Sequence, residues 1–255
     1  MGFQIVSSAR AFFWAVHRRA PRWVARRLDD LLVLRNRWRY GGLTTKELFS
    51  KIYRTGAWGQ APDGARKFYS GAGSHDPSIV GPYVDSVVRF LRQFPEKPDV
   101  VDLGCGDFSV GSQIRPACGR YIACDIVDPL IESNRVTFAT LGVDFRVLDL
   151  AVDAIPRTDV VIIREVLQHL SNSAISAAIP KIAANCRFLL LTERLPRGSA
   201  FPHNLENRPP GIRLDANSGV VITSPPFSLQ ALEARCLCEV AASSGIVRTM
   251  MYRLA

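Results

Sequence analysis

The stretch Val100-Val101-Asp102-Leu103-Gly104-Cys105-Gly106-Asp107 decides the fold. Its apolar run suits a strand buried on both faces of a parallel sheet. The run carries an acid, Asp102, and then breaks into a Gly-x-Gly turn. Glycines there permit positive φ and let the backbone come close to a ligand. A helix is expected directly after the turn, and the amides at its N-terminus can serve an anionic group. A Gly-x-Gly turn alone recurs in many nucleotide-binding folds, so its surroundings carry the argument.

Outward from this stretch, the chain alternates strand and helix. Apolar runs lie at 99–103, 121–124, 145–148, 159–163 and 187–192, with helical stretches at about 108–116, 129–141 and 172–185 between them. This is the pattern of βαβ units and a parallel sheet covered by helices. The second run, Tyr121-Ile122-Ala123-Cys124-Asp125, ends in a carboxylate. That placement suits ribose hydroxyls as donors. The third strand is expected to end at Asp149. Each of these acids falls at the carboxyl end of a strand, the edge where open α/β sheets bind ligands.

A helix is predicted before the core from about 78 to 94, with Val80, Val84, Val87, Val88 and Leu91 on its apolar side. After the fifth strand, residues 196–227 form a proline-rich strap carrying His203, Asn204, Glu206, Asn207, Arg213 and Asp215. Long loops in compact domains are usually functional, and this one is placed to cover a hydroxylated substrate. Residues 233–241 and 246–254 read as two strands of a hairpin turning at Ser243-Ser244-Gly245. Cys236 and Cys238 alternate as buried small side chains on one strand face.

The 98–195 core is similar to the class I S-adenosylmethionine (SAM)-dependent methyltransferases. VDLGCGD at 101–107, CD at 124–125, LDL at 148–150 and REVLQHLS at 164–171 match four of their motifs in order. The resemblance implies a Rossmann-like α/β fold: a seven-stranded, mostly parallel sheet with a closing antiparallel hairpin. It implies SAM as methyl donor, with Asp125 and the neighbouring Ile126 on the ribose. Asp149 and Leu150 would lie near the adenine. Asp102 and the Gly104, Cys105 and Gly106 backbone would hold the methionine part. Arg164 joins this cofactor-binding set. Phe108 departs from the pattern, standing where many members carry a third glycine. A dinucleotide-binding dehydrogenase is the competing reading, but its third glycine would fall on Ser109.

Ser70-Gly71-Ala72-Gly73-Ser74 is a flexible, donor-rich loop between Tyr69 and the core. Ser70, Gly71, Gly73 and Ser74 are placed to wrap over the methionine carboxylate. Similar Trp-Gly and Ser-Gly-x-Gly-Ser segments occur in some bacterial methyltransferases associated with glycan and surface-polymer genes. Glu165 and His169 are four apart and would share a face if the segment is helical. His169 is the candidate general base toward a substrate hydroxyl, with Glu165 beside it. The alternative is a packing role for His169, because positioning does much of the work in methyl transfer. The pair could also hold a divalent metal, as in some related O-methyltransferases, but no metal ligands are assigned. Pro225-Pro226-Phe227 resembles the Pro-Pro-aromatic motif of nucleic-acid amino-methyltransferases, but that motif belongs after the fourth strand, where this chain has Arg164-Glu165-Val166.

Of 255 residues, 47% are hydrophobic and 22% charged, which suits one globular domain with a large core. The net charge of +9 is uneven. Residues 1–40 hold nine arginines against Asp29 and Asp30, a balance of +7, whereas the remainder carries 23 basic and 21 acidic residues. The division expected is a basic amphipathic helical extension over 1–45 and a methyltransferase domain over 46–255. Ile5, Ala9, Phe12, Val16, Ala20 and Trp23 recur at helical spacing among the arginines. Packing against the domain or a partner is the preferred reading of that helix; peripheral attachment to an anionic membrane is the other. A near-neutral body argues against nucleic acid as partner. No apolar run is long enough to span a membrane. Six cysteines without paired CxxC sets read as free thiols in a reducing, cytoplasmic compartment. The expected activity is O-methylation of a small molecule or glycan. A protein or RNA methyltransferase, or a non-catalytic SAM-fold protein binding through its basic arm, are the alternatives.

Overall fold

In a computed structural model, residues 41–61, 67–198, 200–207 and 211–254 are described. The amphipathic helix expected in the arm lies outside them. Seven strands make one sheet: β1 (Val100–Leu103), β2 (Tyr121–Asp125), β3 (Asp144–Val147), β4 (Thr158–Arg164), β5 (Cys186–Leu195), β6 (Glu233–Ala241) and β7 (Ile246–Arg253). Their order is β3-β2-β1-β4-β5-β7-β6. The first five run parallel, while β7 pairs antiparallel with β5 and β6. The expected closing hairpin is therefore present.

The apolar runs become central strands because both of their faces are covered. All of β1 is buried, as is the run 160–163 in β4. Tyr83, Val87, Phe90 and Leu91 of helix α2 (Pro77–Leu91), which follows α1 (Thr45–Thr55), pack in one cluster with Val100, Val160, Ile162 and Leu190. Side chains of opposite parity point to the other face. Helix α5 (Asn172–Asn185) buries Ile175, Ala178 and Ile182. Ile175 and Ile182 each contribute about 1.5–3 kcal/mol on burial. Asp76 caps α2 and Ser171 caps α5, each through a side-chain oxygen that accepts a backbone N–H.

Before α2, helix α1 (Thr45–Thr55) starts in a Thr44/Glu47 capping box and stops at Gly56 in the left-handed region. Helix α4 (Asp128–Thr137) follows β2. The helix expected over 108–116 shrinks to a single turn, α3 (Gly111–Ile114). Its start is set by Phe108, whose φ of 59° is not helical. Pro116 then ends it in a 3-10 turn, since proline has no N–H for the ladder. The supposed helix-terminal anion site therefore reduces to one turn. The third strand also stops earlier than expected, at Val147 rather than Asp149.

The expectation for Cys236 and Cys238 is corrected. A register shift separates them in β6, and Cys236 is exposed because β6 is an edge strand. Among the described residues, no helix is long and apolar enough to cross a membrane.

Candidate active site

The turn after β1 is tied to the end of β2. Gly104 and Cys105 both donate their N–H to Cys124 O, at 2.8 and 2.9 Å. Gly104 has φ of 80°, and a Cβ there would lie 2.4 Å from Val166 Cγ2, so both conformation and space require glycine. Asp125 accepts from Gly106 N through Oδ2 and from Val127 N through Oδ1, each at 3.1 Å. A carboxylate oxygen can accept a second bond, so acceptor capacity remains for a ligand. Burial raises the Asp125 pKa to about 6. Burial also raises that of Asp102 to about 7, even though the Tyr121 hydroxyl donates to it at 3.0 Å.

The 70–74 loop folds onto this turn. Ser70 N donates to Asp107 Oδ2 at 2.9 Å, and Asp107 N donates back to Ser70 Oγ at 2.8 Å. Tyr53 of α1 shares a hydrogen bond with Ser70 Oγ at 3.0 Å. Burial works against the Asp107 charge, but bonds from Ser109, Ser70 and His75 outweigh it and hold the carboxyl below its ordinary range. Arg164, from the end of β4, donates to Gly73 O at 2.7 Å and Ser74 Oγ at 3.3 Å. The loop expected to be flexible is thus fastened at both ends, and Ser70, Gly73, Ser74, Gly106 and Arg164 come together. Asp107, His75, Tyr53 and Asn134, whose Nδ2 donates to Gly106 O at 2.7 Å, were not anticipated as members.

Leu148 N donates to Asp125 O at 3.0 Å, which brings the 148–150 segment alongside the end of β2. Asp149 Oδ1 accepts from Ala151 N at 2.9 Å, and Leu150 is buried. Ile126 is half-buried beside Asp125. The Cys105 thiol is pushed well above its ordinary pKa, chiefly by burial, and is not a nucleophile.

The helical pairing of Glu165 with His169 is corrected. Glu165 has φ of 53°, and only Leu167–His169 form a 3-10 turn, so the two do not share a helix face. Glu165 instead accepts from Arg194 Nε at 3.0 Å. The His169 ring packs against Phe49 and Trp58, with centroids 6.1 and 5.4 Å away. Burial lowers its pKa to about 4, with Glu165 pulling the other way. It is a neutral imidazole at physiological pH. Among the described residues, no group of three His, Cys, Asp or Glu side chains is arranged to hold a metal.

The turn carrying His169 is clamped from below. Glu193 accepts from Leu167 N and Gln168 N, both at 3.0 Å. Arg213, reaching in from the strap, donates to Leu167 O and Leu170 O at 2.8 Å and to Asn172 Oδ1 at 2.7 Å. Asn204 holds Val221 and Pro225 by their carbonyls at 2.9 Å. Arg213 and Asn204 are therefore buried scaffold of the strap, whereas His203 is exposed on its outside, bonded to Ser224.

No family model matches the sequence, and no curated protein matches it. Solved structures do. The chain is similar to magnesium protoporphyrin IX methyltransferase from Synechocystis PCC 6803 with bound SAM. That match has 19% identity and a TM-score of 0.54, covering 84% of this chain and 99% of the other. It is also similar to the N-methyltransferase NodS from Bradyrhizobium japonicum WM9 in complex with S-adenosyl-L-homocysteine. There the identity is 13% and the TM-score 0.52, over 70% and 88% of the two chains. A third is the N-terminal domain of EvdMO1 in the presence of S-adenosyl-L-homocysteine and D-fucose, with 14% identity and a TM-score of 0.50 over 84% and 98%. The fold of this chain is the Rossmann-like fold of the class I SAM-dependent methyltransferases.

Proposed function

We propose that the chain is a SAM-dependent methyltransferase acting on a hydroxyl of a small molecule or glycan. One observation carries this reading: the Gly-x-Gly turn joins two buried strand-end acids, Asp102 and Asp125, beneath a fastened 70–74 loop. The residues present suit SAM. Asp125 has acceptor capacity for the ribose hydroxyls, and Asp149 with Leu150 lies beside it for the adenine. Asp102, an acid that burial leaves half-protonated near neutral pH, gains from a cationic neighbour such as an amino-acid ammonium. Ser70, Gly71, Gly73 and Ser74 roof the place for the amino-acid end. When bound, SAM supplies a methyl carbon on a positively charged sulfur.

Phe49, Trp58 and His169 form an aromatic wall that excludes water from the acceptor. The neutral His169 ring offers a lone pair to the acceptor hydroxyl. A pKa near 4 makes it a poor proton store, so its work is to accept the hydrogen bond and orient the oxygen, and the proton released as the C–O bond forms passes on to bulk solvent. Glu165 is held in an ion pair by Arg194. The strap, pinned through Arg213, closes this side of the cleft. A structural neighbour studied in the presence of D-fucose favours a carbohydrate among hydroxylated acceptors.

The test is transfer of labelled methyl from SAM to a panel of sugars and small alcohols. We expect label on a hydroxyl, with His169→Ala slower by about tenfold to a hundredfold. Label appearing on amines instead would overturn the choice of oxygen.

A further inference from the structure

At the carboxyl ends of β4 and β5 lies a charged cluster of which the cofactor-binding set takes in only Arg164. Arg164 pairs with Thr192 in the sheet register, so Arg194, two residues on, points to the same face. Both arginines are largely buried, with side chains 8% and 13% exposed. The carboxylate between them is Glu165, 12% exposed, at 3.0 Å from Arg194 Nε and 3.6 Å from Arg164 Nη2. Two guanidiniums thus share one close carboxylate. Arg164 Nε is buried and has no hydrogen-bond partner among the described residues. Asp102 is the other acid that acts on Arg164, but burial raises it to about 7, so the two buried guanidiniums are incompletely compensated at a ligand-binding edge, which suits an anion.

The place is specific. A Cβ on Gly73 would lie 2.8 Å from Glu165 Oε2 and 3.1 Å from Arg194 Nη2, so the missing side chain lets the 70–74 loop meet both groups. Arg164 is occupied by that loop through Gly73 O and Ser74 Oγ. Arg194 stands one strand further from β1 and the Gly-x-Gly turn, on the side of the crevice where an acceptor would lie. A guanidinium fork suits carboxylate and phosphate oxygens alike.

We infer that Arg194, backed by Arg164, forms an anion subsite for the acceptor, which carries a carboxylate or phosphate ester besides the hydroxyl to be methylated. The inference rests on the methyltransferase reading for the word acceptor. The cofactor's own amino-acid carboxylate has the same chemistry and is the other source of an anion.

The full-length protein, free and saturated with S-adenosylhomocysteine, is titrated calorimetrically with inorganic phosphate. Saturable phosphate binding is expected in both states, weaker by about tenfold or more in Arg194→Gln and partly restored in Arg194→Lys. Glu165→Gln, which removes the competing carboxylate, should tighten phosphate binding, an effect that a merely structural role would not produce. Arg194→Gln should bind S-adenosylhomocysteine and 5′-methylthioadenosine, which lacks the carboxylate, as the wild type does. Absence of phosphate binding in the wild type, or its retention in Arg194→Gln, overturns the inference. A loss confined to S-adenosylhomocysteine assigns Arg194 to the cofactor and overturns it too. If the wild type binds no S-adenosylhomocysteine, the methyltransferase reading fails, while the phosphate titration of the free protein still decides the subsite.

Discussion

Phe108 shows how one residue can depart from a motif and keep its geometry. Its φ of 59° lies where glycine is at ease and a side chain costs about 1–2 kcal/mol. The ring recovers this by complete burial against Tyr121, Phe138 and Phe145, with centroids 4.9–5.5 Å away. The sequence marks the departure but not its resolution, because that depends on aromatics dispersed over the following strands. Glu165 is the opposite case. Its spacing from His169 suggested a helix, and its left-handed backbone turned it toward Arg194 instead. Local spacing could not register a partner 29 residues away. Asp102 gives a pH prediction at this scale. A bound ammonium favours its charged form, so the ligand prefers the deprotonated protein. S-adenosylhomocysteine affinity should therefore be flat above about pH 7 and fall by up to tenfold per unit below it. Affinity measured calorimetrically from pH 5.5 to 8.5 checks this, and a pH-independent value would remove Asp102 from the site.

At the scale of elements, strands and long helices were legible because their periodicity is sustained. The helix over 172–185 and the strand over 233–241 agree with the structure at both ends. The condition that 165–169 be helical is not met, because the conformation of this turn is imposed from outside. Glu193 holds its N–H groups, Arg213 holds its carbonyls, and both are 2% exposed. The strap residue expected to face a substrate is thus a strut. Arg213→Met should remove the side-chain donor to the carbonyls of Leu170 and Leu205 and leave Leu167 O with only the Leu170 N–H. The expected loss is roughly 3 kcal/mol or more. That corresponds to a fall in Tm of about 6–12 °C for a domain of this size, read by thermal denaturation. An unchanged Tm would mean that the strap is held by other contacts.

At the scale of the molecule, the strand order β3-β2-β1-β4-β5-β7-β6 reverses direction between β1 and β4. The crevice at that switch is where the acids, the 70–74 loop and the Arg164 cluster converge, as open α/β sheets require. This convergence was readable in advance from Asp102 and Asp125 at the ends of β1 and β2, whereas the inward fastening of the loop was not. The described groups of the site all lie within the compact unit Thr44–Ala255. We propose that residues 1–40 serve association rather than cofactor binding. Their removal should then leave S-adenosylhomocysteine affinity within about twofold, a change worth less than RT. Sedimentation of the full chain with anionic vesicles, lost on that deletion, would favour the membrane over packing as the arm's role.

The central claim is that the turn after β1 and the acid at the end of β2 bind SAM. Calorimetric titration with S-adenosylhomocysteine, of the wild type and of Asp125→Ala, tests it most directly. Saturable one-site binding is expected, weakened by about tenfold or more in Asp125→Ala, where a buried charged hydrogen-bond acceptor is lost. No binding by the folded wild-type protein, or equal binding by the variant, would contradict it.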